Sequence, residues 1–240
     1  VPLFLMLVFL MGVGPMIAWR RSSIGNLART FLVPFVGAFL VAVSLVWAGI
    51  SEFWPLLSFS ICFFVLMTIL SELSRGLSSQ AAAPASAAYS PATVLTLFRR
   101  HRIKYGAHVI HFGVVVMTVA ITASMAFKTE KEFTLAPNER FAVGRFSLEL
   151  QEFHEENTKN YQAIQAHVAL RSGNSEAIEH VLVPELRFYP KNKETTTEVA
   201  LRMGSREDVY LVLAGLDETG SKASMKIFIN PFRIWLWYGA

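Results

Sequence analysis

The chain has 240 residues, of which 53% are hydrophobic and 17% are charged, with a formal net charge of +4. Its mean hydropathy of +0.41 is too high for an ordinary soluble protein, which excludes a purely water-soluble fold. Much of the basic excess lies in short clusters beside apolar runs. Clusters in that position set the orientation of membrane-spanning helices, so we expect no nucleic-acid partner.

Four apolar segments reach or approach the length that crosses a bilayer. They cover residues 1–17, 31–50, 53–70 and 107–127. The last segment would form about 31 Å of helix at 1.5 Å per residue, which matches a hydrocarbon core of about 30 Å. Three transmembrane helices are therefore predicted within residues 1–72 and a fourth at residues 107–127.

Basic residues in the connecting loops predict the orientation of these spans. They follow the first span and precede the fourth, whereas the short hairpin at residues 51–55 has none. Because loops rich in Lys and Arg remain in the cytoplasm, residues 73–106 are predicted to be cytoplasmic. Residues 128–230 then lie in the periplasm, and the protein is predicted to be a multi-pass protein of the inner membrane.

The predicted cytoplasmic segment, residues 73–106, has two parts. An Ala- and Ser-rich stretch across residues 71–90 is interpreted as a flexible linker. Ser90 and Pro91 favour a helix start, and residues 91–104 interleave apolar and basic side chains. This pattern predicts an amphipathic elbow helix with its cations toward membrane lipid. A calmodulin-type or nucleic-acid-binding helix is the alternative, disfavoured by the adjacent span.

From residue 128 to 230 the apolar pattern changes to a period of two, separated by turn signals such as those at residues 137–138, 172–174 and 219–221. About six or seven antiparallel strands in a sandwich or barrel are predicted. The fold class is thus a membrane α-helical bundle with an inserted all-β extracytoplasmic domain. Residues 231–240 resemble the start of a further transmembrane helix, and the chain is interpreted as a fragment truncated at both ends.

Few residues of the chain suggest chemistry. His154, His167 and His180 occur singly on predicted strands without metal-ligand spacing, so they are interpreted as solvated side chains. The lone Cys62 lies within an apolar run and excludes a disulfide or Cys-x-x-Cys pair within this chain, leaving a packing role.

His108 and His111 differ because they lie within a charge-free predicted span, where a polar group usually faces the bundle interior. Three residues apart, they share one helix face. A neutral imidazole there is a natural axial ligand for haem iron, and Gly113 would permit the close approach of a flat macrocycle or of another helix. The alternative is that both histidines bond to interfacial water or to a neighbouring carbonyl.

Several motifs, in this order, resemble the C-terminal part of CcmF, the haem lyase subunit of bacterial cytochrome c maturation. The central motif is YGAHVIHFGV at residues 105–114, with PELRFY at 184–189, TEVA at 197–200 and DVYLVL at 208–213. The return toward the membrane, NPF at 230–232 and WLWYG at 235–239, and the segment GVGP with WR at residues 12–20 also fit. The Trp-rich haem-handling loop of the family and its other haem histidines are not present in this chain.

The resemblance implies a component of an enzyme that attaches haem covalently to apocytochrome c in the periplasm. It identifies His111 with a membrane ligand of a b-type haem, while His108 matches no fixed residue of the family. Implied partners are other cytochrome c maturation membrane subunits, a haem-delivering chaperone and apocytochrome c. The fragment alone is expected to be inactive, and a non-catalytic permease or assembly scaffold with an extracytoplasmic β-domain is the alternative function.

Overall fold

A computed structural model describes residues 1–14, 24–80, 90–173 and 177–240. The chain forms two compact units, a helical unit of Val1–Ala126 with Trp235–Ala240 and a β unit of Phe127–Ile234. Residues 81–89 of the predicted linker, the end of the first predicted span and the turn at Asn174 lie outside the described residues, whereas residues 71–80 of that linker are helical.

The described part of the helical unit contains six helices. They are α1 (Pro2–Val13), α2 (Ile24–Trp47), α3 (Phe53–Gln80), α4 (Pro91–Arg100), α5 (Arg102–Ala126) and α6 (Trp235–Gly239). Helix α3 is central, since it packs against α1, α2, α4 and α5. Two helical segments in the described part of the chain are long and apolar enough to cross a membrane, namely Phe53–Ser78 and Arg102–Ala126. At 1.5 Å per residue they are about 39 and 37 Å long.

Helix α3 continues ten residues past the predicted span end at residue 70. The extension forms because Leu73 and Leu77 pack into a small cluster with Leu97 of α4 and Tyr105 of α5. Ser90 caps the start of α4, accepting a hydrogen bond from the Thr93 backbone N–H at 3.2 Å. Helix α4 ends at Arg100, short of the predicted residue 104, because His101 leaves the helical region of backbone conformation.

A second cluster packs α1, α2 and α3 together around Phe64. The Phe64 ring lies 4.8 Å from that of Phe35 and 5.1 Å from that of Phe9, measured between centroids. Cys62 is buried in the same cluster, consistent with a packing role. Ser58 of α3 and Thr122 of α5 share a hydrogen bond of 2.6 Å, a polar link between two apolar helices.

The described part of the β unit contains ten strands, more than the six or seven predicted. They are β1 (Thr129–Leu135), β2 (Arg140–Val143), β3 (Phe146–Asn157), β4 (Gln162–Ser172), β5 (His180–Leu182), β6 (Glu185–Tyr189), β7 (Glu194–Glu198), β8 (Ala200–Arg202), β9 (Glu207–Leu216) and β10 (Ala223–Pro231). The additional strands lack a buried alternating pattern. Strand β7, for example, is exposed at every position.

These strands form two antiparallel sheets, which confirms the sandwich alternative over the barrel. One sheet has the order β1-β10-β9-β8, and the other has the order β2-β3-β4-β6-β7 with β5 also paired to β4. Side chains of both sheets share one hydrophobic core. Its fully enclosed residues include Leu148, Val168, Leu211 and Ile227.

A charged group at the edge of this sandwich is held by two arginines. Glu149 of β3 accepts hydrogen bonds from Arg171 at 2.5 Å and from Arg140 at 2.9 Å. Partial burial opposes ionisation of Glu149, but the bonds from Arg171 and Arg140 prevail and lower the pKa of the carboxyl group. The arrangement links β2, β3 and β4 on the outer side of the sheet.

Candidate functional site

Helix α5 holds both histidines that the sequence singled out. His108 and His111 lie on adjacent turns, and their ring centroids are 6.2 Å apart. The helix forms here because residues 102–126 contain no Pro and consist mainly of apolar residues. The structure therefore brings the two imidazoles together on one helix, inside a segment long enough to cross a membrane.

His108 is the more enclosed of the two. Its side chain is buried, with the residue only 6% exposed, and the Tyr105 ring lies 5.8 Å from its imidazole. Neither of its ring nitrogens has a hydrogen-bond partner among the described residues. A buried imidazole without partners is energetically costly. Its enclosure, however, leaves no open face where a group as large as a haem macrocycle can approach.

His111 is only partly buried, and its Nδ1 atom is enclosed without a hydrogen-bond partner in the described part of the chain. Its neighbours Ile110 and Phe112 expose apolar surface, with Ile110 68% exposed. A partly open imidazole beside exposed apolar side chains suits a large, flat, apolar group with a metal centre. These residues thus fit a haem, and they favour His111 over His108 as the ligand.

Gly113 determines how closely α5 is approached by the short helix α6. A Cβ atom at Gly113 would collide with the backbone carbonyl oxygen of Gly239. A Cβ at Gly239 would lie 2.6 Å from the Gly113 carbonyl oxygen and 2.7 Å from Cγ of Met117. Of the two roles predicted for Gly113, the structure shows the close approach of another helix.

The remaining candidate ligands do not form a metal centre in the described residues. His154 and His167 occupy neighbouring strands with ring centroids 6.4 Å apart, and His180 lies on β5. No group of three or more His, Cys, Asp or Glu side chains suited to a metal ion occurs among the described residues.

Sequence reasoning missed Glu72, a buried acid in the C-terminal part of α3. It forms ion pairs with Arg75 at 2.5 Å and with Lys104 of α5 at 2.7 Å. A signal was present, since Glu72 is the single acidic residue in residues 53–127, against five Lys and Arg residues. An isolated acid in a basic segment beside a predicted span indicates that the acid forms an ion pair with a specific basic side chain.

A comparison with protein families finds a match, which covers the β unit. Residues 126–231 match the family described as the CcmF C-terminal beta-sandwich. The match agrees with the two sheets and shared core of the β unit, and with the motif resemblance found in the sequence.

The similarity to known proteins extends over nearly the whole chain. The cytochrome c-type biogenesis protein ccl1 of Rhodobacter capsulatus is 27% identical over 99% of this chain. CcmF of Haemophilus influenzae is 27% identical over 96% of the chain, and CcmF of Escherichia coli is 24% identical over the same share. The chain spans about a third of the length of these relatives, from 33% to 34%.

One solved structure has a similar fold. It is titled Cytochrome c Heme Lyase CcmF, matches 99% of this chain with a TM-score of 0.69, and is 21% identical in sequence. The chain corresponds to 37% of that structure. At this level of identity the similarity shows the fold, which includes helical and β units in the same chain.

Proposed function

We propose that this chain is the C-terminal part of a haem lyase component that attaches haem covalently to apocytochrome c. His111 would hold a b-type haem in the membrane, together with a histidine from another part of the complete protein. The observation that carries this proposal is the partly open His111 imidazole, with a partnerless Nδ1, on an apolar helix of membrane-spanning length. The relatives named for cytochrome c biogenesis support the same reading.

When bound, a b-type haem supplies one-electron chemistry that keeps the iron of the incoming haem reduced. The contribution of this chain is to hold the His111 imidazole in place. Helix α5 fixes the height of His111 in the apolar segment, and the glycine contact between Gly113 and Gly239 fixes the side of α5 against which α6 packs. The exposed apolar side chains Ile110 and Phe112 flank His111 on either side along the helix surface and make its surroundings apolar.

The proposed topology follows from the charge distribution. The α3 and α5 segments cross the inner membrane, and the basic residues Arg99 to Lys104 remain on the cytoplasmic side. The β unit then lies in the periplasm, where apocytochrome c receives its haem. Proposed partners are apocytochrome c, a haem-delivering chaperone and the other membrane subunits of the cytochrome c maturation system.

Complementation tests this function. The complete gene, with His111→Ala or His108→Ala, is expressed in a bacterium that lacks its own gene, and holocytochrome c is quantified by haem-stained gels. Loss of the His111 imidazole, which would hold the haem, is expected to reduce holocytochrome c by at least about tenfold in the His111 variant. The His108 variant is expected to lose less, because its enclosed ring has no open face for the haem.

Protein levels must be matched by immunoblotting, so that a folding defect is not mistaken for a lost ligand. If the wild-type gene fails to restore any holocytochrome c while its protein reaches the membrane, the chain has the alternative function of a non-catalytic assembly scaffold or permease. If the wild type and both variants restore it equally, His111 is only an interfacial polar group.

A further inference from the structure

A cavity of about 360 Å³ lies where α3, α4 and α5 meet in the helical unit. It adjoins the small apolar cluster that anchors α4 and shares Leu97 and Tyr105 with it. Its polar side is lined by Glu72, Arg75, His101 and Lys104, and its apolar side by Leu97 and Tyr105. Cations and apolar groups thus share one concave surface.

Glu72 holds two of these cations in place. One carboxylate oxygen binds Nη2 of Arg75 at 2.5 Å, and the other binds Nζ of Lys104 at 2.7 Å. Each cation uses one donor group for this contact, whereas a guanidinium has five N–H donors and an ammonium has three. Both side chains are about half exposed, at 50% and 51%, so donors remain available to a ligand.

The local charge favours an anion. Residues 53–127 contain a single acid, Glu72, and five Lys and Arg residues. Within the cavity, the Glu72 carboxylate neutralises one of the two cationic charges and orients both Arg75 and Lys104, so one positive charge remains. An oriented guanidinium beside an ammonium is a favourable receptor for phosphate oxygens.

We propose that this cavity binds a phosphate group carried by an anionic phospholipid. Basic pockets between membrane helices on the cytoplasmic side recognise such headgroups. The cavity lies where the apolar part of α5 begins, and α4 is amphipathic, with Arg99 and Arg100 in its last turn. The inference rests on the proposed membrane placement of α3 and α5, but not on haem binding by His111.

Lipid titration of the full-length protein tests the site. The protein in detergent is titrated with phosphatidylglycerol, and bound lipid is measured by native mass spectrometry. The triple variant Glu72→Gln, Arg75→Gln, Lys104→Gln removes the site without leaving a lone charge. Its affinity is expected to fall by about fivefold for each cation, or roughly 25-fold in total.

The matched control is Arg99→Gln with Arg100→Gln, which lowers the net charge by more than the triple variant but leaves the cavity unchanged. Affinity of the control within about threefold of wild type supports a discrete site. An equal or greater loss in the control, or unchanged binding by the triple variant, overturns the proposal. Lys104→Met, which keeps the Glu72 and Arg75 pair, is expected to lose about fivefold and serves if the triple variant fails to fold.

Sodium phosphate distinguishes the two possible sources of the ligand. If millimolar inorganic phosphate does not displace phosphatidylglycerol, the lipid is the source, as proposed. If inorganic phosphate displaces phosphatidylglycerol from the wild-type protein but not from the triple variant, the site binds soluble phosphate. That result overturns the lipid assignment. Haem content is measured in the same samples, because failure of the haem proposal alters that readout and leaves lipid binding unchanged.

Discussion

Replacing Gly113 with Ala tests how closely α6 packs against α5. The new methyl group would collide with the carbonyl oxygen of Gly239, and backbone atoms cannot move as easily as a side chain. Overpacking of this kind costs about 1–3 kcal/mol, while the better helix propensity of Ala returns about 1 kcal/mol. The net change is a destabilisation of the helix contact by up to about 2 kcal/mol.

Gly106→Ala is the matched control, because it makes the same substitution on the same helix. No atom lies within 4 Å of the position that its Cβ would occupy. This variant gains helix propensity without a collision, so it is expected to stabilise α5 by up to about 1 kcal/mol. The two variants should therefore differ by about 1–3 kcal/mol in the stability of the α6 contact.

Hydrogen exchange in the full-length protein measures this difference locally. Mass spectrometry of a peptide that covers residues 235–240 should show amide exchange roughly 5- to 150-fold faster in Gly113→Ala than in Gly106→Ala. Equal exchange rates in the two variants would refute the close glycine packing and the position of α6 against α5.

The β unit provides three further predictions. Glu149→Gln should destabilise it by about 2 kcal/mol at pH 7, because the charged acceptor of the hydrogen bonds from Arg171 and Arg140 is lost. The pKa of Glu149 is lowered on folding, so its contribution to stability is present above the usual carboxyl pKa and is lost as the pH falls through the folded-state pKa. The stabilities of the wild type and the variant should therefore converge in acid denaturation. Leu211→Ala should cost about 3 kcal/mol in denaturant unfolding, since Leu211 is fully buried, and a cost below 1 kcal/mol would contradict the shared core. A cysteine placed at the exposed Asn160 should react with a membrane-impermeant maleimide from the periplasmic side, while the buried Cys62 should not; labelling of residue 160 only after cell lysis would reverse the topology.

Much of the β unit could be predicted from alternation alone. The first half of β3 and most of β9 and β10 carry buried residues at every second position, which is the signal that a half-buried strand requires. Strand β7 gives no such signal, because it lies at a sheet edge and all of its side chains are exposed. Its place in the sheet depends on backbone pairing with β6, which is a tertiary contact.

In the helical unit, too, some features could be predicted from the sequence and others could not. Hydropathy located the apolar helices, but it ended α3 too early, because the last turns of α3 are stabilised by Leu77 against α4 and not by an apolar environment. At the site, the spacing of His108 and His111 predicted their proximity. Which ring is enclosed and which is partly open depends on packing around α5, and no sequence period encodes it. The pairing of Glu72 with Lys104 is likewise a contact between distant segments.

Haem content of a His111→Gly variant of the complete protein tests the central proposal most directly. The substitution removes the imidazole and leaves a space that added imidazole can occupy. The proposed ligation predicts loss or strong perturbation of the b-type haem absorbance, partial recovery in millimolar imidazole, and a smaller change in a matched His108→Gly variant. A His111→Gly protein with wild-type haem content and reduction potential, insensitive to imidazole, would contradict it.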